Sequence, residues 1–235
     1  MDESRIILAA DGLSIERCTE LVAGIGSRLY AVKVHDVLED GNAHEVLHAL
    51  RDAGAPRIWA DMKLHDIPTT NVGRAKRYQK LGVEIVTAHI DSGMEAMMAM
   101  VDIGIECFGV SVLTSIDGPE CELLTGHTRS ASVLYRAQMA KLAGLRYMVC
   151  SPLEVSYLAK RRELQGLGFI VPGTRKPGAE VHDQKNVDTM TSVLQASPNS
   201  HVCFVVGRQL TGASDPVDAM DEIEAEIEAA LKGVA

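Results

Sequence analysis

The sequence predicts a closed (β/α)8 barrel on three observations. Eight short apolar, β-branched runs recur along 235 residues, amphipathic stretches alternate with them, and polar residues gather at one end of the runs. The runs are Arg5–Asp11, Leu29–His35, Ile58–Leu64, Glu84–Ile90, Cys107–Thr114, Tyr147–Ser151, Gly168–Pro172 and Val202–Gly207. Between and after them lie helical patterns: IERCTELVAGIG, AHEVLHALRDAG, VGRAKRYQKLG, MEAMMAMVDIG, SVLYRAQMAKLAG, EVSYLAKRREL and VDAMDEIEAEIEAALKG. Gly54, Gly82, Gly104 and Gly144 close four of these, as helix C-termini favour.

Strict alternation implies parallel strands joined by right-handed crossovers. An open doubly wound sheet could also hold eight strands, but eight in this length favours closure. No linker, Pro-rich tract or low-complexity segment interrupts the series, so residues 1–235 are expected to form one domain, a single (β/α)8 TIM barrel. Two segments, Ser115–Thr128 and Gly173–Asp188, are longer than connectors require. They follow strands five and seven, at the end where a barrel carries its chemistry.

Composition narrows the partners. The chain is 46% hydrophobic, 23% charged and only 4% aromatic, so the core must come from Ile, Val, Leu, Ala and Met. A formal charge of −9 argues against nucleic acid as a partner. Much of it sits on the last helix, in Asp215, Asp218, Asp221, Glu222, Glu224, Glu226 and Glu228, which is expected to be a solvated outer face. With that helix set aside the remainder is near neutral, which leaves room for a small anionic ligand. The five cysteines, Cys18, Cys107, Cys121, Cys150 and Cys203, show no C-x-x-C pair and fit reduced thiols in a cytoplasmic protein. The N-terminus MDESRIILAA lacks the basic flank and long apolar run of a signal peptide, and no stretch has the roughly 20 apolar residues that span a bilayer.

Polar residues fall at the strand C-termini: Asp11, Lys33 and His35, Asp61 and Lys63, His89, Thr114 and Ser115, Glu154, and Arg208. The sharpest segment is ADMKLHDIPTT at 60–70. In an extended strand Asp61 and Lys63 share a face because side chains alternate with period two. Lys33 on the neighbouring strand and Asp66 just beyond would complete an alternating Lys-Asp-Lys-Asp array. Burying such an array for stability alone is rarely worthwhile, so it marks a functional site. Strands seven and eight are where barrels commonly hold phosphate. There the chain offers Arg175, Gln184, Gly207 and Arg208, a glycine for close backbone approach and arginines for bidentate contact. His44, His48, His127 and His201 are expected at the surface or in caps, and His65 and His89 in hydrogen-bonding roles. Met94, Met97, Met98 and Met100 are expected to pack in the core. No His/Asp spacing forms a metal constellation, so no metal is expected.

ADMKLHDIPTT resembles the D-x-K-x-H-D-I-P-N-T signature of orotidine 5′-monophosphate decarboxylases. Further segments resemble that family in the family's order: LAAD at 8–11, AVKV at 31–34, HIDSGMEAM at 89–97, VSVLTS at 110–115, VCSPLE at 149–154, VPGTRKPG at 171–178, DQKNV at 183–187 and VVGRQLT at 205–211. A wider group of barrels shares D-x-K-x-x-D, whereas the following H-D-I-P-x-T points to the decarboxylase branch. His35 stands where that family usually has Gly, Thr69 where it has Asn, and Ser92 where a Gly is common. The segment LQASPNSHVCFVVGR also departs from the usual approach to strand eight.

The resemblance implies cofactor-independent removal of CO2 from orotidine 5′-monophosphate, the last step of de novo pyrimidine nucleotide synthesis. It implies that Lys63 protonates C6, Asp61 faces the substrate carboxylate, Lys33 bonds the ribose hydroxyls and steadies Asp61, and Asp11 holds the ribose. Thr114 and Ser115 would meet the pyrimidine; Gln184, Gly207 and Arg208, helped by Arg175, would hold the phosphate. Asp66 and Thr70 would reach across a homodimer interface into the partner's site. Two alternatives remain open at this point: a metal-dependent sugar-phosphate lyase or decarboxylase of the same superfamily, and a catalytically inactive nucleotide-binding barrel.

Overall fold

A computed structural model describes residues 4–35, 38, 42–174 and 188–233. Its strands are β1 (Ile6–Ala9), β2 (Ala31–Val34), β3 (Ile58–Leu64), β4 (Ile85–His89), β5 (Glu106–Val110), β6 (Tyr147–Val149), β7 (Gly168–Pro172) and β8 (Val202–Val206). Each pairs in parallel with the next, and β8 pairs with β1, so the sheet closes into a barrel in sequence order. The open doubly wound alternative is thereby excluded. Most strands stop short of the expected runs. After Val110, for example, Ile116 N bonds back to Leu113 O, so Leu113–Ile116 form a turn although Val112 and Leu113 are apolar enough to continue the strand.

The helices are α1 (Ile15–Ile25), α2 (Ala43–Asp52), α3 (Pro68–Lys80), α4 (Met94–Asp102), α5 (Gly118–Thr125), α6 (Arg129–Leu142), α7 (Pro152–Leu158), α8 (Met190–Ala196), α9 (Arg208–Thr211) and α10 (Pro216–Lys232). Ser14, Asn42, Asp117, Thr128, Thr189 and Asp215 cap six of them, each side chain accepting a first-turn N–H. The expected glycine stops at 54, 82, 104 and 144 all take positive φ, the conformation that ends a helix without a Cβ clash. Helix α5 occupies the first long segment, and α8 lies where the sequence pattern suggested no helix.

Period two along the strands creates two cores. Outward-facing residues such as Leu8, Val32, Ala60 and Val86 meet the helices, while Ile7, Ala31, Trp59, Ile85, Phe108, Tyr147, Ile170 and Cys203 fill the barrel. The residue two further along each strand then forms the floor of the open end: Ala9, Lys33, Asp61, Thr87, Val110, Val149, Pro172 and Val205. Burial of the layer beneath therefore fixes which polar groups face the mouth. At the opposite end Tyr147 Oη lies 3.1 Å from His201 Nδ1 and the Arg57 guanidinium stacks 4.7 Å over Tyr30. His201 is thus part of a ring cluster closing the barrel bottom and not a plain surface residue. Of the methionines, Met97 and Met100 are fully buried but Met98 is half exposed.

Candidate active site

The mouth of the barrel is a cavity of about 1100 Å³. On its β1–β3 wall four charges form a ladder. Lys33 Nζ is 2.5 Å from Asp11 Oδ2 and 3.2 Å from Asp61 Oδ2, and Lys63 Nζ is 2.8 Å from that same Asp61 oxygen. The other oxygen, Oδ1, accepts from the Thr87 hydroxyl at 2.7 Å, and Thr87 Oγ1 accepts from Trp59 Nε1 at 2.7 Å. Both carboxylate oxygens of Asp61 are therefore engaged, by groups from β2, β3 and β4. Burial alone would push the Asp61 carboxyl up, but Lys33, Lys63 and the bonds from Lys63 and Thr87 together hold it below its ordinary value. Asp61 is the buried anion of the site and Lys33 its buried cation, whereas Lys63 is about half exposed to the cavity.

The ladder is Asp-Lys-Asp-Lys, with Asp11 and not Asp66 as its second aspartate. The cause lies in the backbone of β3. Lys63 has φ +43°, the one non-glycine positive φ among the described residues, and the β3–β4 register slips between Ala60 and Leu64. The extended pleat that would have carried Lys63 and Asp66 forward ends there. A left-handed non-glycine residue costs about 1–3 kcal/mol and persists only when its surroundings fix it. Beyond it the Asp66 carboxylate turns onto its neighbour's Ile67 N–H at 2.8 Å. Asp66 and Thr70, the latter in the first turn of α3, are not among the residues that line the cavity. His65 and His89 stack with ring centroids 5.0 Å apart, and burial together with the charge of His65 lowers the His89 imidazole below its ordinary range.

Beside the β1 end of the β1–β3 wall Gly207 and Arg208 line the cavity, Arg208 opening α9 directly after β8, the strand that pairs with β1. Thr114 lines it from the turn after β5; Ser115 is exposed and does not. Arg175 and Gln184 lie outside the described residues. Glu154 does not face the mouth. It accepts from Arg129 Nε at 2.7 Å and from Ser151 N at 2.7 Å, tying α6 to α7 beneath the surface, so its place among the mouth residues is corrected to a packing role. His35, the bulky departure beside Lys33, is likewise absent from the lining.

Sequence reasoning missed Thr87 and Trp59. Thr87 did leave a signal, as a hydroxyl in the inward register Ile85–Thr87–His89. Also missed was the acidic rim. Asp215, Asp218 and Glu222 of α10 line the far side of the cavity, while Asp221 and Glu224 pair with Arg28 and Glu226 bonds Thr191. The last helix is therefore only partly a solvated face. All five cysteines are buried thiols, none joined in a disulfide. No helix among the described residues is long and apolar enough to cross a membrane.

Fold and site together define a (β/α)8-barrel enzyme with a lysine–carboxylate ladder at its mouth. The chain belongs to the family described as orotidine 5′-phosphate decarboxylase / HUMPS, whose model matches residues 4–223. It is 34% identical over 227 residues to the orotidine 5′-phosphate decarboxylase of Sphingopyxis alaskensis, covering 94% of this chain and 98% of that one. It is 30% identical over 234 residues to the enzyme of that name from Coxiella burnetii, with 96% and 97% covered. The crystal structure of orotidine 5′-phosphate decarboxylase from Lactobacillus acidophilus superposes with a TM-score of 0.77 at 28% identity, over 95% of this chain and 99% of that one.

Proposed function

We propose that this chain decarboxylates orotidine 5′-monophosphate to uridine 5′-monophosphate without a metal or organic cofactor, and that Lys63 is the proton donor. The observation that carries the reading is the convergence of Lys33 and Lys63 on one oxygen of a buried Asp61 whose other oxygen is pinned by Thr87. In the reaction the C6–carboxylate bond breaks, CO2 leaves, and its electron pair stays on C6. No conventional resonance delocalises that pair, so a preorganised ammonium must stabilise it. Lys63 Nζ, held by Asp61, then gives its proton to C6 and is reprotonated from solvent after release. Asp61 is placed to face the leaving carboxylate and disfavour it by like charge.

In this reading Asp11 and Lys33 hold the ribose and Gly207 and Arg208 the phosphate; Arg175 and Gln184 are assigned to the phosphate by the family resemblance alone. In the same reading Thr114, which lines the cavity, and Ser115 after it meet the pyrimidine. Two ammoniums already neutralise Asp61, which makes it a poor ligand for a divalent cation and favours this reading over metal-stabilised chemistry. The reading includes a homodimer in which Asp66 and Thr70 serve the partner's site. Ile67, a large apolar residue 63% exposed next to Asp66, supports a covered surface there. Five buried thiols suit a cytoplasmic location.

The test follows the ultraviolet absorbance of orotidine 5′-monophosphate in chelator, with wild type and Lys63→Ala. Turnover by wild type and its loss in the variant support reaction and donor alike. Binding of uridine 5′-monophosphate without turnover identifies an inactive nucleotide-binding barrel. Neither binding nor turnover, with activity on sugar phosphates in magnesium, identifies the lyase alternative.

A further inference from the structure

Asn71 is fully buried in the first turns of α3, on the face that α3 turns to the core along with Ala75. Its Nδ2 donates to the backbone carbonyl of Asp66 at 3.0 Å, while its Oδ1 is buried with no hydrogen-bond partner. A half-satisfied buried amide is a poor stabilising device, since an apolar side chain of the same size would avoid the unpaired acceptor. What the amide does supply is a grip on one atom, the carbonyl of Asp66, three residues beyond the left-handed Lys63.

That grip matters because of where the turn stands. The chain leaves the β3 pleat at a strained residue; Leu64 still pairs with Ala88 of β4, and beyond it the turn at 65–66 has three fixings. The His65 ring stacks on His89, the Asp66 carboxylate bonds Ile67 N–H, and the Asp66 carbonyl is held by Asn71. The first involves a ring that is itself exposed, and the second is local to the turn. Of the three, only the Asn71 bond ties the turn to a side chain buried inside a helix. Strain of this kind is retained where the surroundings over-determine it.

We propose that Asn71 is a positioning residue for the reaction: it locks the 63–66 turn so that the strained Lys63 backbone keeps its ammonium on Asp61 Oδ2 and aims Asp66 outward. This rests on the decarboxylase reading. It predicts a separation between stability and rate. Asn71→Leu, close to Asn in size, removes both the grip and the orphaned acceptor. The variant should melt at or above the wild-type temperature, yet kcat should fall about 10- to 100-fold, the cost of a small misplacement of a reacting group. KM should stay within about twofold, because the phosphate grip on β8 is untouched.

The experiment measures melting temperature, kcat and KM on orotidine 5′-monophosphate. It also measures amide exchange at residues 65–67, with sites counted by uridine 5′-monophosphate binding. Faster exchange with lower kcat per site and unchanged KM is the expected result. A lower melting temperature with unchanged kcat per site would make Asn71 merely structural and overturn the proposal, as would faster exchange with unchanged kcat. Asn71→Ser, smaller and unable to reach Asp66, gives the same readout if the leucine variant does not fold. An inactive wild type would instead defeat the decarboxylase reading itself.

Discussion

Lys63 Nζ sits 2.8 Å from Asp61 Oδ2, the same oxygen that Lys33 approaches at 3.2 Å. Two cations sharing one carboxylate oxygen cannot separate without breaking an ion pair, so the distance between the proposed donor and its neighbouring ammonium is set by one atom of Asp61. Asp11 draws Lys33 from its other side, which leaves Lys63 as the cation open to the cavity. The geometry thus divides the labour between two chemically identical side chains by their neighbours alone.

Thr87 holds Asp61 from below, and its removal tests that division. In Thr87→Val the shape is kept, but Asp61 Oδ1 loses its donor and Trp59 Nε1–H loses its acceptor. Two buried groups left unpaired should cost about 2–4 kcal/mol, read by urea unfolding. With Oδ1 free to rotate, kcat should fall about tenfold, with KM nearly unchanged. An unaltered kcat would mean that the two lysines alone fix Asp61.

Acid stability should carry the signature of Asp61. Its carboxyl is held below the ordinary 3.8, so over that window the unfolded chain binds the proton that the folded one refuses. The stabilisation is fully present above 3.8 and is lost as pH falls through the folded value. Asp61→Asn should therefore be less stable than wild type by about 1.5–3 kcal/mol at neutral pH, because Lys33 and Lys63 each lose a carboxylate, although Lys33 keeps Asp11. The gap should close as the pH drops below 3.8. A gap that stays constant into acid would show that the ion pairs are not its source.

The barrel itself was legible because its signal is repetitive: eight runs, alternating helices and glycine stops each restate the same period. The ladder was legible in composition but not in order. Period two placed Lys33 and Asp61 correctly, since Ala31 and Trp59 beneath them are apolar and inward. It also brought Lys63 to the mouth beside Asp61, but it could not show the left-handed residue and register slip there, beyond which Asp66 turns onto Ile67 N–H. Glu154 was misplaced for a related reason. A carboxylate three residues after a strand end looks like a mouth residue until Arg129, 25 positions earlier, is seen to claim it. The acidic rim of α10 was hidden because charge counting cannot tell which face of a helix overhangs the cavity.

Glu154 supplies a control of opposite sign. Burial raises its carboxyl above 4.5 despite Arg129 and the Ser151 amide, so its contribution is greatest below 4.5 and is lost as pH rises through the folded value. Glu154→Gln, which keeps an acceptor for either donor, should be milder than Glu154→Ala. The alanine variant strands a guanidinium that is 12% exposed and should cost about 3 kcal/mol. Because Glu154 does not line the mouth, kcat per folded molecule should stay within about twofold of wild type for both. A larger drop in kcat, counted per nucleotide-binding site, would return Glu154 to the active site.

Arg208 tests the β8 side of the site. It opens α9 straight after β8, three strands round the barrel from Lys63 on β3, so its contact with substrate is expected at the phosphate and not at the reacting carbon. A charge-assisted bond of this kind is worth about 1.5–3 kcal/mol, so Arg208→Ala should raise KM for orotidine 5′-monophosphate roughly 10- to 100-fold. The decisive comparison uses orotidine, which lacks the phosphate. The substitution should leave kcat/KM for the nucleoside unchanged, since the group that Arg208 holds is missing from it. Equal losses on both substrates would place Arg208 in the reaction or in the fold. No loss on either would move the phosphate away from β8 and leave the ladder on β1–β3 as the one part of the site still tied to the proposed chemistry.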